Sequence, residues 1–411
     1  MLDLFLLPST RGLISLARMK ATFLLLLAGV VAVGAAESVT VEAGDFDRRE
    51  IVVECALPIG VSGLFSKDDH AVVQHDGSGK AWFVVSDLKR GEKRTYTFAK
   101  ASGTSRASAE TKPGAVTLST LGKTAFVYRT EKTELPANRP DLTPVFQRGG
   151  YIHPVLSPGG LQVTDDYPSN HKHHHGLWFA WTHTQFEGRK PDFWNMGDKK
   201  GTVEFVALDK TWSGPVHAGF TSRHRQVDLT APQPKTALNE TWTVKLFAVG
   251  QEERQPYFLF DLEVTDVCAT DSPVKLPKYR YGGLGVRGNW AWNGADKLYF
   301  LNSEGVTDRS KGDNNETVGK WAHLGGRVNG TLTGLAILGH PANANAPQPQ
   351  RIHPTEPFFN FAPQQAGDLE IAPGKPFTAR YRFVVADGAP DRAELDRLWN
   401  DYAHPPRVTV K

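Results

Sequence analysis

Over residues 238–249, Thr241, Thr243, Lys245 and Phe247 alternate with Trp242, Val244, Leu246 and Ala248. A period of two puts successive side chains on opposite faces of an extended chain, so the run predicts a half-buried β-strand. Phe247 alone breaks its polar side. Similar alternating or β-branched runs predict strands over 49–56, 81–87, 95–100, 124–129, 201–208, 257–267 and 377–385, separated by Gly, Pro, Asn and Asp. That rhythm is the signature of an antiparallel all-β protein. The one helical period falls near the end: Leu395, Leu398, Trp399 and Tyr402 share a face, Pro390 suits a first-turn position, and Pro405-Pro406 stops the run.

The turn-rich stretch 107–114 reads as a seam between two sets of strands. A small β-sandwich module over 37–112 is expected before it. Residues 113–411 are too many for one Ig-sized sandwich and suit a larger two-sheet supersandwich. Residues 1–36 read as a secretory signal peptide, with a basic flank at Lys20, an apolar stretch from Phe23, and small residues ending at Ala36. The apolar stretch is shorter than the roughly 20 residues of a permanent span. Met19 opens a complete signal of its own and is a second possible start. The expected location is secreted or periplasmic.

Losing residues 1–36, with Arg11, Arg18 and Lys20 against Asp3, takes the net charge from +3 to about +1. That balance offers no electrostatic footprint for nucleic acid or anionic lipid, and no later stretch resembles a membrane span. Cys55 and Cys268 are the only cysteines, open to one bridge in an oxidising compartment or to two buried thiols. A chain this long does not depend on a bridge to fold.

Candidate chemistry concentrates in Asn170-His171-Lys172-His173-His174-His175-Gly176-Leu177-Trp178. If the piece is extended, His171, His173 and His175 share a face and His174 takes the other. Imidazoles at i and i+2 can reach one metal ion or two hydroxyls of one substrate, and the bland alternative is a solvated stretch leading into a buried strand. Copper or zinc on His171 and His173 needs a third ligand, for which His153, Asp165, His183, His340 and His353 are candidates. Asp192-Phe193-Trp194-Asn195, Trp290, Trp292 and Trp321 supply the rings and amides a sugar pocket uses, or they are sandwich core. Glu240, Arg280, Arg287, Glu304, His340, Asn343 and His353 are further groups able to act as acid, base or ligand partner, and each is otherwise a structural residue. The sequence contains no G-x-S-x-G elbow, P-loop, dinucleotide glycine motif or H-E-x-x-H helix.

These residues resemble a family of exported β-rich proteins labelled methane oxygenase PmoA-like, or simply a domain of unknown function. The resemblance spans residues 123–404. It rests on His153-Pro154, Asp166-Tyr167-Pro168, the histidine stretch through Phe179, Asp192-Phe193-Trp194, residues 302–305, Gly319-Lys320-Trp321 and His340-Pro341 with Asn343. Arg280-Tyr281-Gly282 stands where the family tends to show Lys-Glu-Gly, and His175 where Arg is common. A membrane monooxygenase subunit needs several spanning helices, which this sequence lacks, so the label is only a name. The family resemblance implies participation in glycan use, and the supersandwich is similar to that of galactose mutarotases and some polysaccharide lyases.

The expectation is therefore an exported carbohydrate-active protein, a lyase, hydrolase or epimerase working by acid/base chemistry on a small sugar or oligosaccharide. His171, His173, His174, Arg287 and His340 would do the chemistry. His153, Asp166, Trp178, Asp192, Trp194, Glu304, Trp321, Asn343 and His353 would bind substrate. A copper or zinc protein, an oxidoreductase if the family label is followed, and a non-catalytic glycan-binding module are the alternatives.

Overall fold

The structure, a computed structural model, describes residues 37–310 and 317–411, and the expected signal peptide lies outside them. Two large antiparallel sheets pack face to face. One has nine strands in the order Thr317–Val318, Pro349–Ile352, Phe358–Phe361, Gly283–Arg287, Leu177–Ala180, Tyr151–Val155, Lys123–Arg129, Ala115–Thr120 and Ala107–Lys112. The other has eight, in the order Gly201–Trp212, His217–Asp228, Lys235–Phe247, Tyr257–Cys268, Phe377–Asp387, Thr331–Gly339, Trp321–Val328 and Leu298–Asn302. The chain is thus the large antiparallel all-β sandwich that the alternation predicts. Trp242, Val244 and Leu246 are fully buried, and Phe247 is buried on the opposite face, which accounts for the break in its pattern.

The two sheets interleave through aromatic contacts: Phe126 on Phe260 at 4.6 Å between ring centres, Tyr128 on Phe220 at 4.2 Å, and Phe361 on Tyr381 at 5.5 Å. Several polar groups inside this layer are tied to one another. Glu240 accepts from Trp242 Nε1 (2.7 Å) and Gln226 Nε2 (2.9 Å), and lies 2.8 Å from His224 Nδ1. Glu240 is therefore an interior structural carboxylate that satisfies three neighbours rather than a site group.

A smaller core, built on Val39, Val41, Val53, Phe83, Val85 and Tyr96, lies between a five-stranded and a three-stranded sheet. Pairing moves both edges of the expected division. Ala107–Lys112 joins the nine-stranded sheet, and the last strand, Arg407–Val410, returns to pair with Ser38–Glu42. The only α-helix among the described residues, Arg392–Ala403, lays Leu395, Leu398 and Trp399 on the outer face of the eight-stranded sheet beside Trp321 and Leu338. Its N-cap is Asp391, whose carboxylate accepts from Ala393 N and Glu394 N, so Pro390 precedes the cap instead of opening the first turn. Arg48 of the small module binds Asp401 of the helix at 2.9 Å, both side chains buried. Cys55 and Cys268 are free thiols with no disulfide between them, and no helix among the described residues is long and apolar enough to cross a membrane.

Candidate functional site

The histidine stretch is not extended. His171 N bonds Pro168 O and His174 N bonds His171 O, so two successive turns carry the chain round before Gly176. Gly176 has φ +47°, and a Cβ there would strike the Ile152 carbonyl, so glycine is required. The turns reverse the facing expected from a strand. His175 points inward, its Nδ1 2.7 Å from Asp166 Oδ1, while Tyr151 Oη donates to Asp166 Oδ2 at 2.9 Å. His171, His173 and His174 gather instead: the His174 ring lies 4.7 Å from both others.

This cluster sits on the face of the nine-stranded sheet that points away from the other sheet. Trp178 alternates with the core residues Leu177 and Phe179, and Arg287 with Val286, so both project to that outer face. His174 is 2% exposed and stacks on Phe358 and Trp178 at 4.7 Å each. Trp194 completes the floor at 4.9 Å from Trp178. Asp192 positions it, accepting from Trp194 N and Asn195 N while its other oxygen holds Thr182 and Asn195.

Glu356, on the turn before the Phe358–Phe361 strand, organises the polar groups. Its Oε2 accepts from Arg287 Nη1 at 2.7 Å and lies 2.8 Å from His171 Nδ1. Arg287 Nη2 donates to Asn170 Oδ1 (2.9 Å) and Asn293 Oδ1 (3.2 Å). His353 Nδ1 accepts from Glu356 N at 3.1 Å, and its ring lies 6.1 Å from that of His171. The side chains of His171, His353 and Glu356 are 35%, 20% and 12% exposed, so the cluster meets solvent there.

Two carboxyl groups near Arg287 are driven in opposite directions. Burial acts to raise Glu356, but hydrogen bonds and charge from His171 and Arg287 outweigh it and hold the group at about 2. Burial pushes Asp165 up to about 6, and the nearby Arg287 charge only partly opposes it. Asp165 Oδ2 is buried and finds no hydrogen-bond partner among the described residues. Burial also holds His173 down at about 3, with His171 adding to the effect.

The structure thus brings together His171, His173, His174, Arg287, His353, Trp178 and Trp194. His153 and Asp166 lie behind them: His153 Nδ1 is 3.0 Å from Thr164 Oγ1, and Asp166 serves His175. The other predicted residues sit elsewhere. His340 packs edge-on to Tyr402 and lines a separate cavity with Lys320 and Trp399. Trp321 is core beneath the helix, donating to Asp396 at 2.8 Å. Asn343 ties a turn to both backbone groups of Arg380, and Glu304 is an exposed turn residue bonded to Ser303. Trp178 and Trp194, 1% and 2% exposed, support the floor and are too covered to stack on a sugar.

The metal pairing also loses its basis, because the i, i+2 geometry depended on an extended chain. The His171 and His173 rings meet edge to face at 5.8 Å, and among the described residues no three His, Cys, Asp or Glu side chains are grouped to hold a metal ion. Glu356 and the role of Asp165 escaped sequence reasoning. His353-Pro354-Thr355-Glu356 reads as an ordinary turn, and nothing in it signals a partner at His171.

Fold and site together define an antiparallel two-sheet β-protein with a histidine and paired-carboxylate cluster on its outer sheet face. Residues 115–400 match the Family of unknown function (DUF6807), and the chain belongs to that family. Nothing in that match supports the methane oxygenase label. No curated protein matches. Among solved structures, an alpha-galactosidase from Lactobacillus brevis is similar at 9% identity and a TM-score of 0.23, over 84% of this chain and 40% of that one. A TPR-domain containing protein from Parabacteroides distasonis ATCC 8503 is similar at 11% identity and a TM-score of 0.19, over 88% of this chain and 57% of that one. The chain therefore spans between two fifths and three fifths of the length of either, and likenesses this faint bear on neither fold nor activity.

Proposed function

We infer that this is an exported enzyme that transfers a proton to or from a neutral sugar or oligosaccharide at the cluster around Arg287. The observation that carries the reading is the opposed state of two carboxyl groups near one guanidinium. Asp165, titrating near 6, exchanges a proton close to neutral pH, whereas Glu356 stays ionised. Glu356 orients His171, which is more exposed than His174 and His353, toward a substrate hydroxyl. His173, kept neutral by burial, offers a second hydrogen-bonding group without adding charge. Trp290 supplies the stacking ring that the buried tryptophans cannot. It is 49% exposed and lies on the turn whose Asn293 contacts Arg287.

The test is a panel of neutral glycans assayed for product, followed by Asp165→Asn, Glu356→Gln and Trp290→Ala on whichever substrate turns over. Asp165→Asn is expected to lower kcat by about 100-fold or more, in line with the worth of general acid/base catalysis, and to remove the pH limb near 6. Trp290→Ala is expected to raise KM with kcat kept. Full turnover in both carboxyl variants would refute the assignment. Sugar binding without product anywhere on the panel would make the protein a glycan-binding module instead.

A further inference from the structure

On the opposite side of the sandwich, the outer face of the eight-stranded sheet meets the small module across a second groove, of about 370 Å³. This lies within the roughly 300–1,000 Å³ of small-molecule sites. Its lining is cationic and aromatic: Lys80, Lys210 and Lys245 with Trp82, Trp212 and His217. Pairing explains the convergence. Lys210 sits opposite Thr221, and Thr221 opposite Thr243; in the next row Trp212 sits opposite Gly219, and Gly219 opposite Lys245. Gly219 is needed there, since a Cβ would come 2.9 Å from Trp212 Cε2 and closer still to the Val244 carbonyl.

Each of two lysines is set over an indole. Lys245 Nζ is 5.3 Å from the Trp82 ring centre and Lys210 Nζ 5.6 Å from that of Trp212, within the range of cation–π attraction. Trp82 projects away from its own module's core and is 4% exposed, so its ring serves the groove wall. His217 contributes a donor. Its Nδ1 accepts from Trp212 Nε1 at 2.8 Å, so in the neutral ring the proton is on Nε2. His217 is 2% exposed, and Nε2 finds no partner among the described residues. Burial holds the ring well below its ordinary value, at about 3, which keeps it neutral. One lining residue is acidic: Asp76, whose carboxylate accepts from Ser78 N and Oγ at 2.7 Å each, stands against three lysines, of which Lys80 is bound to Glu54 at 2.5 Å.

We propose that this groove binds a small organic oxyanion, the carboxylate or sulfate group of an acidic sugar, between Lys210, Lys245 and His217 Nε2. The rings position the ammonium groups, Thr221 and Thr243 offer hydroxyls to the remainder of the ligand, and the site is separate from the cluster at Arg287.

Calorimetric titration of the whole protein with glucuronate, glucose 6-sulfate, glucose and inorganic sulfate tests it. At least one acidic sugar is expected to bind tighter than both glucose and inorganic sulfate, and the two acidic arms tell carboxylate from sulfate. Lys210→Gln and Lys245→Gln, on outer strand positions where folding is verified by circular dichroism, should each weaken binding about tenfold, as expected for losing a charged hydrogen-bond donor. The proposal is overturned by no response to either acidic sugar, by glucose or inorganic sulfate binding as well as they do, or by unchanged affinity in both variants.

Discussion

At Gly285 an added Cβ would lie 2.5 Å from Trp178 Cε2 and 2.7 Å from Trp194 Cη2, the two indoles that floor the histidine cluster. Both rings are packed on several sides and have little freedom to retreat. Gly285→Ala is therefore expected to destabilise the protein by about 1–3 kcal/mol, the usual cost of overpacking. Gly60, where a Cβ meets nothing within 4 Å, is the matched control, and Gly60→Ala should stay within about 0.5 kcal/mol. Urea unfolding of the two variants decides it; equal midpoints would show that the tryptophans can shift. The same glycine also shows why an aromatic-rich sequence misleads about sugar binding. Trp178 and Trp194 are spent on supporting His174, which leaves the exposed ring to Trp290.

Among the elements, the helix Arg392–Ala403 joins parts of the fold that are far apart in sequence. Asp391 caps it, Arg397 bonds Glu394 and Asp401, and Asp401 also receives Arg48 from the small module. Asp391→Ala should cost about 1 kcal/mol through the lost cap, read as a lower thermal midpoint, with Asp391→Asn restoring most of it. No loss in the alanine variant would mean that packing alone fixes the first turn. This helix was legible because four apolar residues share one face, and the long strands were legible because one face of each is buried. Pairing between distant segments was not. No local pattern shows that Arg407–Val410 returns to Ser38–Glu42, or that Ala107–Lys112 crosses into the nine-stranded sheet. The histidine stretch was conspicuous in the sequence but its geometry was not, since the Pro168 and His171 turns depend on carbonyl partners that residue type does not announce. Glu356 stayed hidden for a similar reason, being 185 positions from the histidine it holds.

For the whole molecule, buried imidazoles set the response to acid. Burial holds His153 at about 4 and His173, His217 and His323 each at about 3, against an ordinary value of 6.5, and it lowers His174 in the same direction. The unfolded chain takes up protons on these rings below 6.5 while the folded chain does not, so stability is at its plateau above that pH and declines as pH falls from 6.5 toward 3–4. Asp165 works in the opposite sense. Its folded value of about 6 exceeds the ordinary 3.8, so its contribution is present at low pH and lost as pH rises through 6. Asp266 and Asp401 are likewise raised by burial and offset part of this, but the lowered imidazoles are more numerous. At roughly 1.4 kcal/mol per pH unit and proton, their combined effect, even halved, is on the order of 10 kcal/mol, comparable to the whole stability of an ordinary domain. Acid unfolding is therefore expected well above pH 3, with the urea midpoint falling steadily from pH 6.5 to 4.5. His323 separates this from a general charge effect, because burial alone accounts for its shift and it touches neither the Arg287 cluster nor the lysine groove. His323→Gln should reduce the steepness of that fall by up to one proton, about 1.4 kcal/mol per pH unit, whereas an unchanged slope in the variant would mean that other groups drive the acid response.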